Sequence, residues 1–329
     1  MRGFADKLSS IKLIAITVYS QTIKRMNRAT IRQLLCVFTT FFFLVGAVTS
    51  AEAARKSRAK AHKPLYAGAT GMAKDWEPNL ELKPYKQNYL LLYARTEPVN
   101  NSPTSPNLQN QILTPYNLDN RDVKFQVSVK HDLIDLRQFG ALWFAYTQQV
   151  FWQYHDNGNS RPMREVNYEP EFIYSIRPSS FSLLNFGVVH QSNGESKPRS
   201  RAWDRAYVQT GLELDGGGEF RAVLMGRWWK RYAENPASDD NADIADYMGY
   251  RELELRLLQQ GGWEISALGR SKAVKIDIAA PISSWLFLGT TDEPHINIHA
   301  QYFRGYGESL LDYNHFHTAW GFGFSFPMD

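Results

Sequence analysis

From Gln87 onward the chain repeats one pattern, in which apolar and polar residues alternate with a period of two. In residues 122–130, Val123, Phe125, Val127 and Val129 share one parity, and Lys124, Gln126, Ser128 and Lys130 take the other. The same holds for Leu253, Leu255 and Leu257 against Glu252, Glu254 and Arg256, and for Val274, Ile276 and Ile278 against Lys275 and Asp277. Ile298 and Ala300 oppose Asn297, His299 and Gln301, while Phe220, Ala222 and Leu224 oppose Glu219 and Arg221. On an extended strand this sorts the two kinds of residue onto opposite faces, which a helix of 3.6 residues per turn cannot do. Polar turns rich in Gly, Asn and Asp separate the segments, so the chain predicts an all-β protein.

Two all-β folds alternate in this way. A soluble sandwich turns its apolar face inward, and a transmembrane barrel turns it outward onto lipid around a polar lumen. Two features favour the barrel. The segments are about 9–11 residues long, the length a tilted strand needs to cross a bilayer. Aromatics also gather at segment ends, as at Trp228-Trp229, Tyr247/Tyr250, Tyr302/Phe303 and Trp143/Trp152, as in interfacial girdles. The expectation is a single-domain antiparallel transmembrane barrel of about 12 strands over residues 85–329. The stretch 285–294 resists assignment. Aromatics form 14% of the chain although its mean hydropathy is −0.41, which suits a soluble β protein or a membrane barrel. Nothing after residue 50 approaches a run of about 18 apolar residues, which excludes a bundle of membrane helices.

The N-terminus reads differently. Arg28 and Arg32 precede an apolar run from Leu34 to Val48, and small residues follow at Ser50-Ala51-Glu52-Ala53. That is the pattern of a secretory signal peptide, with cleavage expected after Ala53 and Met26 as the expected start. A retained anchor is the alternative reading. Residues 1–53 hold seven of the 37 Lys/Arg and two of the 33 Asp/Glu, leaving 30 against 31. The exported chain is thus nearly neutral and carries no basic signature for nucleic acid. Its only cysteine, Cys36, also lies in the leader, as suits an oxidising compartment. Residues 54–84, which open with Arg55, Lys56, Arg58, Lys60 and Lys63, read as a flexible periplasmic arm.

Reactive residue types concentrate in one place. His190 and Ser192 are two apart and share parity with the apolar Leu184, Phe186 and Val188, so both face outward. Asp204 opens the next strand and shares parity with Ala206, Val208 and Leu212, again the outward face. Two strands joined by a short loop would bring the three together near one rim. There His190 could take the proton from Ser192 while Asp204 orients the imidazole. The H-x-S spacing alone is weak, since an ordinary polar strand end before Asn193-Gly194 produces it too. No G-x-S-x-G elbow is present, so an α/β-hydrolase is not indicated.

The stretch His190-Gln191-Ser192-Asn193-Gly194 with Ser200-Arg201-Ala202-Trp203-Asp204-Arg205 resembles the active-site region of the outer-membrane phospholipase A family. Residues 162–170, 246–250, 305–314 and Asn88-Tyr89-Leu90 fit the same family, so the resemblance runs from about residue 82 to 326. It implies a twelve-stranded outer-membrane barrel that hydrolyses acyl esters of phospholipids (A1, A2 and lysophospholipase type) as a calcium-dependent homodimer. It also implies Ser192 as nucleophile, His190 as base, and the Gly194 N–H in the oxyanion hole with a calcium-bound water. Calcium would be held by the Ser200 hydroxyl, the Glu195 carbonyl and the carbonyl of the partner subunit's Ser160. Gln148 would face lipid and pair across the dimer interface. Three positions depart from the family's familiar residues: Asp204 stands for Asn, Glu195 for Arg and Lys197 for an acidic residue. The last puts a second calcium site involving Asp240 in doubt. The other seven histidines show no metal-ligand spacing and carry no expected catalytic role. The alternatives are a non-enzymatic porin or small-solute channel, and a secreted ligand-binding sandwich.

Overall fold

The alternating segments form strands that no sheet edge is left to terminate. In this computed structural model the chain is described over residues 82–326, except 113, 137–138, 159, 180–181, 216–219, 237, 260–262 and 283–295. The leader, nearly all of the arm and the unassigned stretch at 285–294 lie outside the described residues. The strands in chain order are β1 (Lys83–Pro84), β2 (Asn88–Glu97), β3 (Arg121–Asp135), β4 (Ala141–Trp152), β5 (Met163–Ser179) and β6 (Ser182–Ser192). They continue as β7 (Ala202–Asp215), β8 (Phe220–Arg231), β9 (Arg251–Gln259), β10 (Glu264–Arg270), β11 (Ala273–Pro281), β12 (Asn297–Gly305) and β13 (His317–Phe326). Every pairing is antiparallel, and β13 returns to pair with β2, so β2–β13 close into a twelve-stranded barrel. The short β1 lies along β3, with Lys83 opposite Lys130 and Pro84 opposite Val129. Strand pairing therefore begins two residues before the expected start at 85.

The faces decide between the two all-β folds. Phe186 and Val188 on β6 are 42% and 46% exposed, while Asn185, Glu171, Arg205, Gln209 and Asp277 on inward positions are buried. Apolar side chains outside and charges inside are the inverse of a soluble sandwich and are required of a bilayer-spanning barrel. Lumen charges survive there because they are paired. Lys86 lies 3.0 Å from Glu169 and 3.3 Å from Glu171. Arg205 contacts Glu169, the Tyr207 hydroxyl donates to Glu171 at 2.8 Å, and Gln301 and His299 both bond Asp277.

The strands are less even than expected. Those from β3 to β8 have 11–17 residues, whereas β9–β13 and β2 have 7–10. The extra length of β3 lies at one end, where residues 127–135 run on past the start of β2 at Asn88. The long connections at the other end follow β2, β8 and β12, while β5–β6 and β7–β8 turn at the first in a few residues. In such barrels the longer loops face outward, so the long-loop rim is the extracellular one. There the loop after β12 folds into the lumen, burying Leu310, Leu311, Asp312 and Tyr313. Arg164 on β5 clamps it through Asp312 at 2.5 Å, and Glu308 bonds Lys124 at 2.7 Å and His317 at 2.8 Å. A short helix, α1 (Ile244–Met248), sits beside it.

The aromatic girdle needs correction. In three of the four expected pairs one member turns inward: Trp229, Trp143 and Phe303 are buried. Residues an odd number apart in a strand point to opposite faces, so such a pair cannot serve the girdle with both rings. Trp229 instead packs with Val189, Trp203, Tyr207, Ile244, Met248, Leu310 and Tyr313 in an apolar cluster directly behind β6 and β7.

Candidate active site

β6 and β7 are in register over eleven residue pairs, and His190 lies opposite Asp204. Across this pair His190 Nδ1 is 2.8 Å from Asp204 Oδ1. Both side chains are about half exposed, at 48% and 49%, on the outward surface. With Nδ1 donating to the carboxylate, Nε2 is left as the imidazole's acceptor. Ser192 stands two residues further along β6 on the same face, opposite Ala202 and beside Tyr168 of β5. The three outward residue types thus fall within one corner of the lipid-facing wall, at its long-loop rim.

The backs of the same strands are held from the lumen. Gln191, between His190 and Ser192, points inward, and its side-chain oxygen Oε1 accepts from Trp203 Nε1 at 2.8 Å and Arg205 Nη2 at 2.9 Å. The Arg205 guanidinium lies 4.0 Å from the Trp203 ring centre. Gly187 fits because Tyr207 crosses it so closely that a Cβ there would meet the ring at 2.2 Å. These contacts fix the rotation of β6, and hence the aim of its outward residues. Alternation puts Arg205 inward, but its partner Gln191 and the Trp203 contact follow only from the cross-strand register.

The loop between β6 and β7 is closed by Asn193. Its side-chain oxygen accepts from the backbone of Arg201 at 3.0 Å and Glu195 at 3.3 Å, and its amide donates to Arg199 O at 2.8 Å. Next to it Gly194 has φ 65, a left-handed conformation, and a Cβ there would approach Tyr168 to 3.0 Å. Asn110, from the loop after β2, clamps the far side by donating to Ser200 O at 3.3 Å and Asp240 O at 3.1 Å. The Ser200 hydroxyl itself donates to the Asp240 carboxylate. Lys197 donates to the Gln109 side-chain oxygen at 2.5 Å. Ser160, at the tip of the β4–β5 loop, is in the left-handed region at φ 62. The Ser200 hydroxyl and the Asp240 carboxylate are oxygen donors of the kind a hard cation prefers. No group of three or more His, Cys, Asp or Glu suited to a metal occurs among the described residues. Asp240 and Asn110 are what sequence reading missed or left uncommitted, because they approach from 40 and 90 residues away. On β4, Gln148 is half-buried and accepts from the Tyr146 hydroxyl at 3.1 Å.

A closed barrel with lipid on its outside, bearing a hydrogen-bonded His–Asp pair and a serine on that outside, defines a membrane protein equipped to act on lipid. Comparison with known proteins agrees. The phospholipase A1 family model matches residues 71–326. A relative from Neisseria meningitidis serogroup B is 31% identical over 259 residues, covering 75% of this chain and 65% of that one. The phospholipase A1 of Proteus vulgaris is 32% identical over 270 residues, covering 77% of this chain and 83% of that one. The crystal structure of the Salmonella typhi outer membrane phospholipase dimer with bound calcium superposes with a TM-score of 0.61 at 28% identity, covering 76% of this chain and 93% of that one. The chain belongs to the phospholipase A1 family, enzymes of the outer membrane that act on phospholipids.

Proposed function

We propose that this protein hydrolyses phospholipid acyl esters with Ser192 as nucleophile, His190 as base and Asp204 as the residue orienting it, in a calcium-dependent homodimer. The observation that carries this is the 2.8 Å His190–Asp204 contact on the lipid-facing surface, two residues from Ser192. His190 Nε2 accepts the Ser192 proton as Oγ attacks the ester carbonyl. Asp204 stabilises the imidazolium formed, which then protonates the departing glycerol oxygen. In the second half His190 activates water against the acyl-serine and returns the proton to Ser192. The Gly194 N–H, held by the Asn193-closed loop, donates to the developing oxyanion.

The Ser200 hydroxyl and the carbonyls of Glu195 and the partner subunit's Ser160 would hold calcium, with the Asp240 carboxylate adjacent to Ser200. When bound, the ion supplies positive charge next to the oxyanion. That the related Salmonella typhi structure is a dimer with bound calcium supports this reading. Gln148 contributes to the dimer: its oxygen takes the Tyr146 hydroxyl, and its amide nitrogen is available for the partner's face.

Fatty-acid release from a defined phospholipid in calcium tests the assignment. Ser192→Ala is expected to lower kcat by about 10⁴-fold or more, and His190→Ala comparably. Undiminished release by Ser192→Ala overturns the assignment. Chelation is expected to abolish activity and leave the monomer; full activity of a strictly monomeric form in excess chelator contradicts the calcium-dependent dimer.

A further inference from the structure

Lys230 is out of place. It sits on the outward face of β8, exposed, in a row made by Phe172 of β5, Val188 of β6 and Ala206 of β7. Among the described residues it is the one Lys or Arg on the outward face of β5–β8, because Arg164, Arg205, Arg221, Arg227 and Arg231 all turn inward to partners. It has no ion-pair partner among the described residues. An ammonium facing hydrocarbon is costly, so its four-carbon stem must carry the charge up the wall toward the headgroup region.

That path leads to the candidate site. The row above Lys230 contains His190 and Asp204, and the backbone of Tyr232 donates to Asp204 O at 2.9 Å. On the intervening β7 the outward residues between Lys230 and His190 are Ala206 and Asp204, so no bulky side chain separates them along the surface. Two inter-strand spacings, about 10 Å, divide β8 from β6. In a glycerophospholipid the acyl ester and the phosphate sit on neighbouring parts of one glycerol, a span that together with the lysine stem bridges that gap.

We infer that Lys230 binds the phosphate of the substrate and so holds its acyl ester at Ser192, an inference that rests on the site proposed above. Lys230 then acts as a specificity residue, favouring esters that carry an anionic headgroup over uncharged ones. It takes no part in proton transfer.

The test uses the full chain with calcium in mixed micelles of an uncharged detergent. Its two substrates are a diacyl phospholipid and a diacylglycerol with the same acyl chains. Lys230→Ala is expected to raise KM for the phospholipid about tenfold, the worth of one charge-assisted hydrogen bond, with kcat little changed. Both constants for diacylglycerol should stay at wild-type values, and Lys230→Arg should restore the phospholipid KM. In these micelles the substrate is the only phosphate present, so a lysine that merely anchors surrounding lipids would leave KM unmoved. That result, or an equal change on both substrates, overturns the inference. Heat-modifiable migration on a detergent gel verifies that each variant is a folded barrel. Ser192→Ala should remove hydrolysis of both substrates; if it does not, the site fails, while the effect of Lys230 on the substrate ratio is still read independently.

Discussion

Asp204 and His190 share an exposed, cross-strand contact, so their coupling is screened more than that of a buried pair. The imidazole needs an acceptor at Nδ1, which an amide oxygen also provides. Asp204→Asn should therefore keep activity within about tenfold of wild type, whereas Asp204→Ala should lose roughly ten- to a hundredfold in kcat, less than loss of the base itself. Steady-state kinetics of the two variants check this, and equal loss in both would show that charge rather than orientation is what Asp204 supplies. Gly194→Ala strains a left-handed residue against Tyr168 and should lower kcat by about a hundredfold with the barrel still folded. At this scale much was legible. Alternation alone put His190, Ser192 and Asp204 on one outward face, because parity along a strand survives folding. Gln191 was not: nothing local says that the residue between two reactive ones is bonded to Trp203 and Arg205.

The β6–β7 loop is an element stabilised from outside itself. Asn193 closes it, but Asn110 ties its end to Asp240, and neither partner of that clamp is near in sequence. Asn110→Ala removes two hydrogen bonds to backbone carbonyls at this loop and should raise the calcium concentration for half-maximal activity about tenfold. Saturating calcium should restore kcat. A calcium titration of initial rates reads this directly, and an unchanged midpoint with lowered kcat would argue against a role in cation binding. Sequence could not reveal the clamp, since side-chain amides in long loops carry no periodicity. For the same reason the girdle reading went half wrong: clustering of Trp228 and Trp229 is visible, but the second ring packs into the cluster behind the site. Strand lengths also escaped: β3 runs on to Asp135, past the alternation read over residues 122–130.

Over the described residues the barrel is a closed wall around a paired-charge interior, and this much the alternation did predict, including about twelve strands. What it could not convey is how the outer end of the lumen is filled. Arg164 and Asp312 are both almost fully buried, so Asp312→Ala strands a guanidinium and should cost about 3–5 kcal/mol. That should appear as an earlier denaturant midpoint in unfolding followed by tryptophan fluorescence. The fold also explains why the reactive residues look misplaced by the standards of a soluble hydrolase. They avoid the lumen because the substrate is in the bilayer, and they lie at the long-loop rim because the ester lies at headgroup depth. The central claim is that Ser192 is the nucleophile and meets its substrate on the outer wall. A fluorophosphonate carrying a long alkyl chain, followed by peptide mass analysis, tests it most directly. The expected result is one adduct, on Ser192, formed in calcium and suppressed by competing phospholipid. An adduct on another residue that abolishes activity, with Ser192 unmodified, would contradict it.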